Sequence, residues 1–556
     1  MDEIKIELNV EVPMRDGTIL RADVYRPADS DVHPVLLHRT PYDKTNPMTN
    51  YLQIDVIASV KRGFIVVLQD TRARYASEGE WLPWAHERND GYDTVQWASV
   101  IAGSNGKVGM FGKSYGGQTQ WAAAVAGAPS LAAMAPQVTW SDPEDGLLFR
   151  GGAIELGMNT MWGLGQALGQ IPKVSKPEDI ASAMSVTAAD VDNLVTKTYW
   201  ELPAAKLPAI TRSGLPDLGV SRALDDPATI DESRNEGHFD QVTVPSLNIG
   251  GWYDLFTQGT LNNYVAMRER GIATQLVMGP WAHMHIPALE VGQVGEVNFG
   301  MSSIVPPTPG VASLSDLQLD WFDRYLGLDS LQQTDSAPVR IFVMGINEWR
   351  DEPDWPLERA VETPLYLRAE GVLSFDAPEE EDAHSEFTYD PADPVPTCGG
   401  ALFMANEFPP GPKEQRNVEN RTDVMVFSSA VFDADLEITG QVRAQICAAT
   451  DGPSTDWVVR LCDVDELGRS YNIVDGITRA ATEAGRIDTY EIDLWSTSIV
   501  IKAGHRLRVH VTSSSFPRWD RNLNSGDTTT LRTAHQTVHH DATRPSRLLL
   551  PVIPRR

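Results

Sequence analysis

Short apolar runs alternate with mixed-polarity stretches along the first 140 residues. Val35-Leu36-Leu37, Phe64-Ile65-Val66-Val67-Leu68 and Val108-Gly109-Met110-Phe111 show no polar alternation, the pattern of strands buried on both faces of a parallel sheet. Residues 134–138 form a weaker fourth run. Residues 92–100 and 118–126, which lie between runs, are compatible with helix, and strand then helix repeated predicts an α/β sheet. The rhythm stops near Ser141. Residues 142–240 hold no strong strand but do hold helix-compatible stretches at 177–184 and 188–200. Strand patterns return in Val244-Pro245-Ser246-Leu247-Asn248-Ile249 and Thr274-Gln275-Leu276-Val277-Met278. Beyond residue 355 the segments 423–427, 436–448, 457–464 and 507–512 are alternating or β-branched, with Gly, Pro, Asp and Asn between them and no helices. Such a series predicts a β-sandwich or jelly roll.

The expected organisation is therefore an α/β core in two parts, residues 1–141 and 241–355. A helical insertion of residues 142–240 interrupts it, and a C-terminal β-domain of residues 356–556 follows. A chain of 556 residues is long enough for several cores of ~150 residues each. The 46 basic and 76 acidic residues leave a charge of −30, which suits a solvated surface and disfavours a nucleic-acid partner. No run approaches ~18 apolar residues, so no membrane span is expected. Met1-Asp2-Glu3-Ile4-Lys5-Ile6 is acidic and alternating, and reads as a first strand rather than a signal peptide. Cys398, Cys447 and Cys462 have no CxxC spacing, which points to a reducing, cytoplasmic setting. A homodimer is allowed but not required. The acidic run Glu379-Glu380-Glu381-Asp382 reads as a solvated loop.

Gly112-Lys113-Ser114-Tyr115-Gly116 fits G-x-S-x-G and stands between a strand-like run and a helix-like one, the setting that makes the motif a nucleophile elbow. A serine hydroxyl is a weak nucleophile and has to project from the sheet edge to meet a base. The Tyr115 N–H, at the helix start, would face the carbonyl oxygen under attack. Taken alone, the motif equally fits a glycine-rich turn with an exposed serine. Gly250-Gly251-Trp252-Tyr253-Asp254 ends one returning strand, and Gly279-Pro280-Trp281-Ala282-His283 ends the next. They supply the order Ser, Asp, His that an α/β-hydrolase requires, with Asp254 orienting His283 and His283 taking the Ser114 proton. His285 competes for the base role, and the strand-end position favours His283. A zinc site on these two histidines lacks an obvious third ligand, so no metal is expected. His539-His540 reads as a surface pair, and Lys113 as facing solvent.

Several segments resemble the cocaine-esterase/X-prolyl dipeptidyl-peptidase family of serine hydrolases, in the family's order. They include residues 114–121, Gly251-Trp252-Tyr253-Asp254 and Gly279-Pro280-Trp281-Ala282-His283. Arg39-Thr40-Pro41-Tyr42, Gln69-Asp70-Thr71-Arg72, Asp90-Gly91-Tyr92-Asp93, residues 394–400, Thr455-Asp456-Trp457 and Asp475-Gly476-Ile477-Thr478-Arg479 belong to the same set. The resemblance implies an α/β-hydrolase core with an inserted helical cap and a C-terminal jelly roll. It also implies a Ser114-Asp254-His283 triad and an oxyanion hole made by the Tyr115 N–H and the Tyr42 hydroxyl. Trp162, Phe256, Leu402 and Phe403 match the family's acyl-binding side chains. No cofactor is implied. The α-amino acid ester hydrolases of the family carry Ser-Tyr-Glu-Gly where this chain has Ser114-Tyr115-Gly116-Gly117, which favours the cocaine-esterase branch. The expected substrate is a small carboxylic ester cleaved through an acyl-enzyme. The alternatives are an amidase, a peptide or β-lactam acylase or a dipeptidyl-peptidase on the same machinery and, from another class, a non-catalytic ligand-binding protein.

Overall fold

The computed structural model describes residues 4–47, 53–284, 291–327 and 337–555. The apolar runs become strands of one ten-stranded sheet. In spatial order these are Ile4–Pro13, Ile19–Pro27, Ile65–Asp70, His33–Thr40, Ser104–Lys113, Leu131–Gln137, Ser246–Tyr253, Thr274–Ala282, Val339–Val343 and Glu348–Glu352. From Ile65–Asp70 to Val339–Val343 neighbours run parallel, and antiparallel strands close both edges. The period of two divides successive residues between faces. Val35 and Leu37 pack with Val95, Ala98 and Trp121 of the helices Glu87–Val100 and Tyr115–Val125. Leu36 instead meets Trp321 and Phe322 of the helix Leu314–Leu326 on the other face. Each large side chain buried this way stabilises the core by about 1.5–3 kcal/mol.

Between Leu131–Gln137 and Ser246–Tyr253 the chain leaves the sheet and forms helices, the longest being Leu156–Val174. The sequence pattern does not single out this helix, because glycines at 157, 163, 165 and 169 and Pro172 mask it. Leu164, Ala167 and Ile171 nonetheless make a buried stripe at helical spacing. The helix expected over 188–200 stops earlier: Ile180–Asp192 is helical, Asn193 caps it, and Thr198–Trp200 is a separate 3₁₀ turn.

The C-terminal part is an all-β domain whose longest strand, Leu436–Thr450, pairs with Asp488–Ile501, Ala534–His539 and Arg547–Ile553. His539 and His540 are buried, against expectation, because Ala534–His539 is an inner strand between His384–Tyr389 and Leu436–Thr450. The β-domain docks on the sheet through Met344, whose N–H donates to Ser498 O at 3.0 Å and whose carbonyl accepts from Val500 N at 2.9 Å. It also docks on the inserted segment, where Arg479 N donates to Gly151 O at 2.7 Å. A Cβ on Gly151 would fall 1.9 Å from Ile477 O, so only glycine permits this approach. Among the described residues no helix is long and apolar enough to cross a membrane.

Candidate active site

Ser114 stands between the strand Ser104–Lys113 and the helix Tyr115–Val125 with φ 57° and ψ −121°. This left-handed conformation is costly for a non-glycine residue and projects the side chain off the sheet edge. The turn is tight because Gly112 and Gly116 both lie against the buried His38 ring. A Cβ on either would come within 2.9 Å of that ring. Three strand ends away, His283 Nε2 lies 3.0 Å from Ser114 Oγ, and His283 Nδ1 lies 2.6 Å from Asp254 Oδ2. The Phe256 N–H donates to the other carboxylate oxygen, Oδ1, at 2.7 Å, which fixes the plane of the fully buried Asp254. The sequence order Ser, Asp, His thus folds into one hydrogen-bonded chain. His285 lies outside the described residues.

Lys113 does not face solvent. Its Nζ donates to the carbonyl of His283 at 3.3 Å, and burial holds its pKa below the ordinary lysine value. Tyr115 opens its helix, where the first N–H groups have no partner within the helix, and the N–H next to Ser114 is placed for an anion. Its phenol is held from behind. Oη donates to Glu87 Oε1 at 2.8 Å, Glu87 Oε2 accepts from Arg39 Nη1 at 2.7 Å, and Arg39 Nε donates to Gln69 Oε1 at 2.8 Å. Arg39 and Gln69 of the family-like segments therefore brace Tyr115 rather than line the cavity.

Tyr42 lines the same cavity as Ser114, and burial raises its pKa, so its hydroxyl stays protonated. Trp162 Nε1 donates to Tyr42 Oη at 3.0 Å, which occupies the acceptor side of that oxygen. Arg74 secures the loop before it. Nε donates to Pro41 O at 2.9 Å, while Nη1 and Nη2 reach Gln170 and Gln166 of the helix Leu156–Val174.

A narrow cleft opens at Ser114. Trp84, Trp140, Trp162, Phe256 and Phe403 line it, with Leu147, Met158, Leu218 and Leu255, and among the described residues its lining holds no carboxylate, lysine or arginine. Phe256 and Phe403 flank the His283 ring with centroids at 5.3 and 5.1 Å. Leu402 is buried in the same apolar cluster, and the cavity wall at that point is Phe403. Trp84 and Trp140 escape a reading of the sequence. Tryptophans in loops carry no periodic signal, and only the packing of Trp84 on Tyr115 at 4.3 Å reveals their place.

Residues 16–285 match the X-Pro dipeptidyl-peptidase (S15) family, and residues 332–549 match the X-Pro dipeptidyl-peptidase C-terminal non-catalytic domain. The chain is 35% identical to the cocaine esterase of Rhodococcus sp. (strain MB1 Bresler) over 98% of both chains. Among solved structures, an α-amino acid ester hydrolase is 25% identical with a TM-score of 0.80, covering 99% of this chain and 97% of that one. An aminopeptidase from the marine sediment archaeon Thaumarchaeota archaeon shares the fold, at 23% identity and a TM-score of 0.79, over 100% of this chain and 97% of that one. On this near full-length likeness, the chain belongs to the CocE/NonD family of serine hydrolases, an S15-type hydrolase unit joined to its β-domain.

Proposed function

We propose that the protein is a carboxylesterase that cleaves small esters with an apolar acyl group through an acyl-enzyme. The hydrogen-bonded chain Ser114–His283–Asp254 at the mouth of an aromatic cavity carries this reading. Ser114 Oγ attacks the ester carbonyl carbon as its proton passes to His283 Nε2, and Asp254 stabilises the imidazolium through Nδ1. The Tyr115 N–H and the Tyr42 hydroxyl hold the oxyanion. Collapse expels the alcohol, protonated by His283, and leaves the acyl group on Ser114 among Trp162, Phe256 and Phe403. Water, activated by the same imidazole, then releases the acid. In this reading residues 1–141 and 241–355 are the catalytic core, 142–240 the cap and 356–556 the β-domain that walls the cavity with Phe403. The three unpaired cysteines support a cytoplasmic setting.

The lining also sorts substrates. Among the described residues a free α-ammonium buried there finds no carboxylate partner and loses its hydration, so amino-acid esters and peptides with free N-termini fit poorly. The test is a panel of matched benzoyl and α-aminoacyl esters and amides, together with fluorophosphonate labelling. Labelling of Ser114 and selective turnover of the neutral aryl ester are expected. Label on another residue removes the nucleophile assignment, and faster cleavage of the α-aminoacyl amides replaces the esterase reading with a peptidase one.

A further inference from the structure

His384 and His539 face each other directly across the antiparallel pair His384–Tyr389 and Ala534–His539, with ring centroids 5.7 Å apart. Directly opposed residues share a face of the sheet. Asp382, two residues before His384, brings its carboxylate to the same place, and one ligand-type atom from each of the three lies within 4.8 Å of the others. His539 is only 7% exposed, yet its Nδ1 is buried without a hydrogen-bond partner. A buried imidazole left this way loses the hydration it had in the unfolded chain, and a bound water or ion would restore a partner. Asp541 Oδ2 lies 4.0 Å from Nδ1, beyond hydrogen-bonding distance. Arg544 holds Asp541, and also reaches Asp382 Oδ1 at 3.1 Å, leaving the other Asp382 oxygen for a ligand role. Cys447, next in the cross-strand row, turns its Sγ towards Thr489 and Pro545 and is not part of the group.

We propose that Asp382, His384 and His539 form a binding site for a divalent transition-metal ion of the zinc type, which staples the outermost strand of the β-domain to its neighbour. Two imidazoles and a carboxylate are the donor set such an ion takes, with water completing a tetrahedron. Tetrahedral bonds of about 2.0–2.1 Å place ligand atoms ~3.4 Å apart, so atoms up to 4.8 Å apart must close by up to ~1.4 Å. The exposed side chains of Asp382 and His384 are free to move that far, while buried His539 is the fixed point. His384–Tyr389 ends the sheet, its only strand partner among the described residues is Ala534–His539, and an edge strand gains most from a cross-link.

The test is calorimetric titration of chelator-treated full-length protein with zinc chloride, with melting temperature followed in parallel. One equivalent is expected to bind and to raise the melting temperature, since the ion binds only the folded site. H384Q changes an exposed residue and should fold normally, and it should weaken zinc at least tenfold and abolish the thermal shift. H539N, which removes the buried ligand, should do the same if it folds. Ester hydrolysis by the chelated protein should match that of the zinc-loaded protein. No binding to the wild type at 100-fold excess overturns the proposal, and so does zinc that binds H384Q as tightly as wild type.

Discussion

Tyr42 has one hydroxyl, and its surroundings decide which way the proton points. The indole of Trp162 donates to that oxygen, so the O–H is directed away from Trp162, into the cavity that also holds Ser114. A donor aimed at the tetrahedral oxyanion contributes more in the transition state than on the ground-state ester. Tyr42→Phe keeps the ring and deletes only the donor. Turnover should fall by about 10²–10³ with little change in KM or melting temperature. A Phe variant keeping more than a third of wild-type turnover, with chemistry shown to be limiting, would move the oxyanion hole elsewhere. Asp254 tests the other end of the chain. Asp254→Asn can still accept from Phe256 N–H, but it can no longer hold His283 with Nδ1 protonated and carries no charge for the imidazolium. A loss of ~10⁴ in turnover is expected in single-turnover assays. A loss below tenfold would mean that another group orients His283.

At the scale of elements, the elbow works because two backbones approach one ring. Gly112 has φ +136° and lies against His38, so Gly112→Ala adds both a disfavoured backbone conformation and a Cβ 2.9 Å from the His38 ring. The ring is buried and packed on Phe111, and has nowhere to go. Overpacking of this kind costs about 1–3 kcal/mol, and the strain adds to it. The melting temperature should drop and turnover fall much more than KM rises, because Ser114 shifts relative to His283. Unchanged kinetics in a destabilised variant would show that the elbow tolerates displacement. The strands bearing Ser114, Asp254 and His283 were legible because apolar runs and G-x-S-x-G leave local marks. The helix Leu156–Val174 was hidden, since its glycines and Pro172 lower its intrinsic propensity and tertiary burial alone sustains it. Lys113 and His539-His540 were misplaced for a related reason. Charged and imidazole side chains default to solvent in a sequence reading, and only the neighbouring His283 turn and the inner position of Ala534–His539 show that Lys113 is half-buried and the histidines buried.

Across the whole molecule, the inserted segment, the sheet and the β-domain meet beside Ser114 and His283. Asp145 accepts from the Trp495 indole of the β-domain at 3.0 Å, and Arg150 lies over the same ring at 3.6 Å. The next residue, Gly146, packs so closely on Leu255 O that a Cβ would come within 2.6 Å of it, and Leu147 after that lines the cavity. Three residues thus connect the β-domain to the loop of Asp254 and to the cavity wall. Burial raises the Asp145 pKa from 3.8 to about 6, with Arg150 opposing the shift and Asp493 adding to it. Below about pH 4 the carboxyl is protonated whether the chain is folded or not, and it exacts no penalty. Between pH 4 and 6 the unfolded chain releases the proton while the folded one retains it, so stability is lost as pH rises, and the loss is complete above about 6. Asp145→Asn keeps an oxygen for the Trp495 N–H and cannot ionise. Its stability relative to wild type should therefore grow with pH, by about 1–3 kcal/mol between pH 4 and 7, read as a widening gap in chemical or thermal unfolding. Measuring the difference between the two proteins cancels the titration of all other carboxylates. A gap that stays constant across this range would mean that Asp145 ionises freely in the folded protein and that the contact between the inserted segment and the β-domain is open to water.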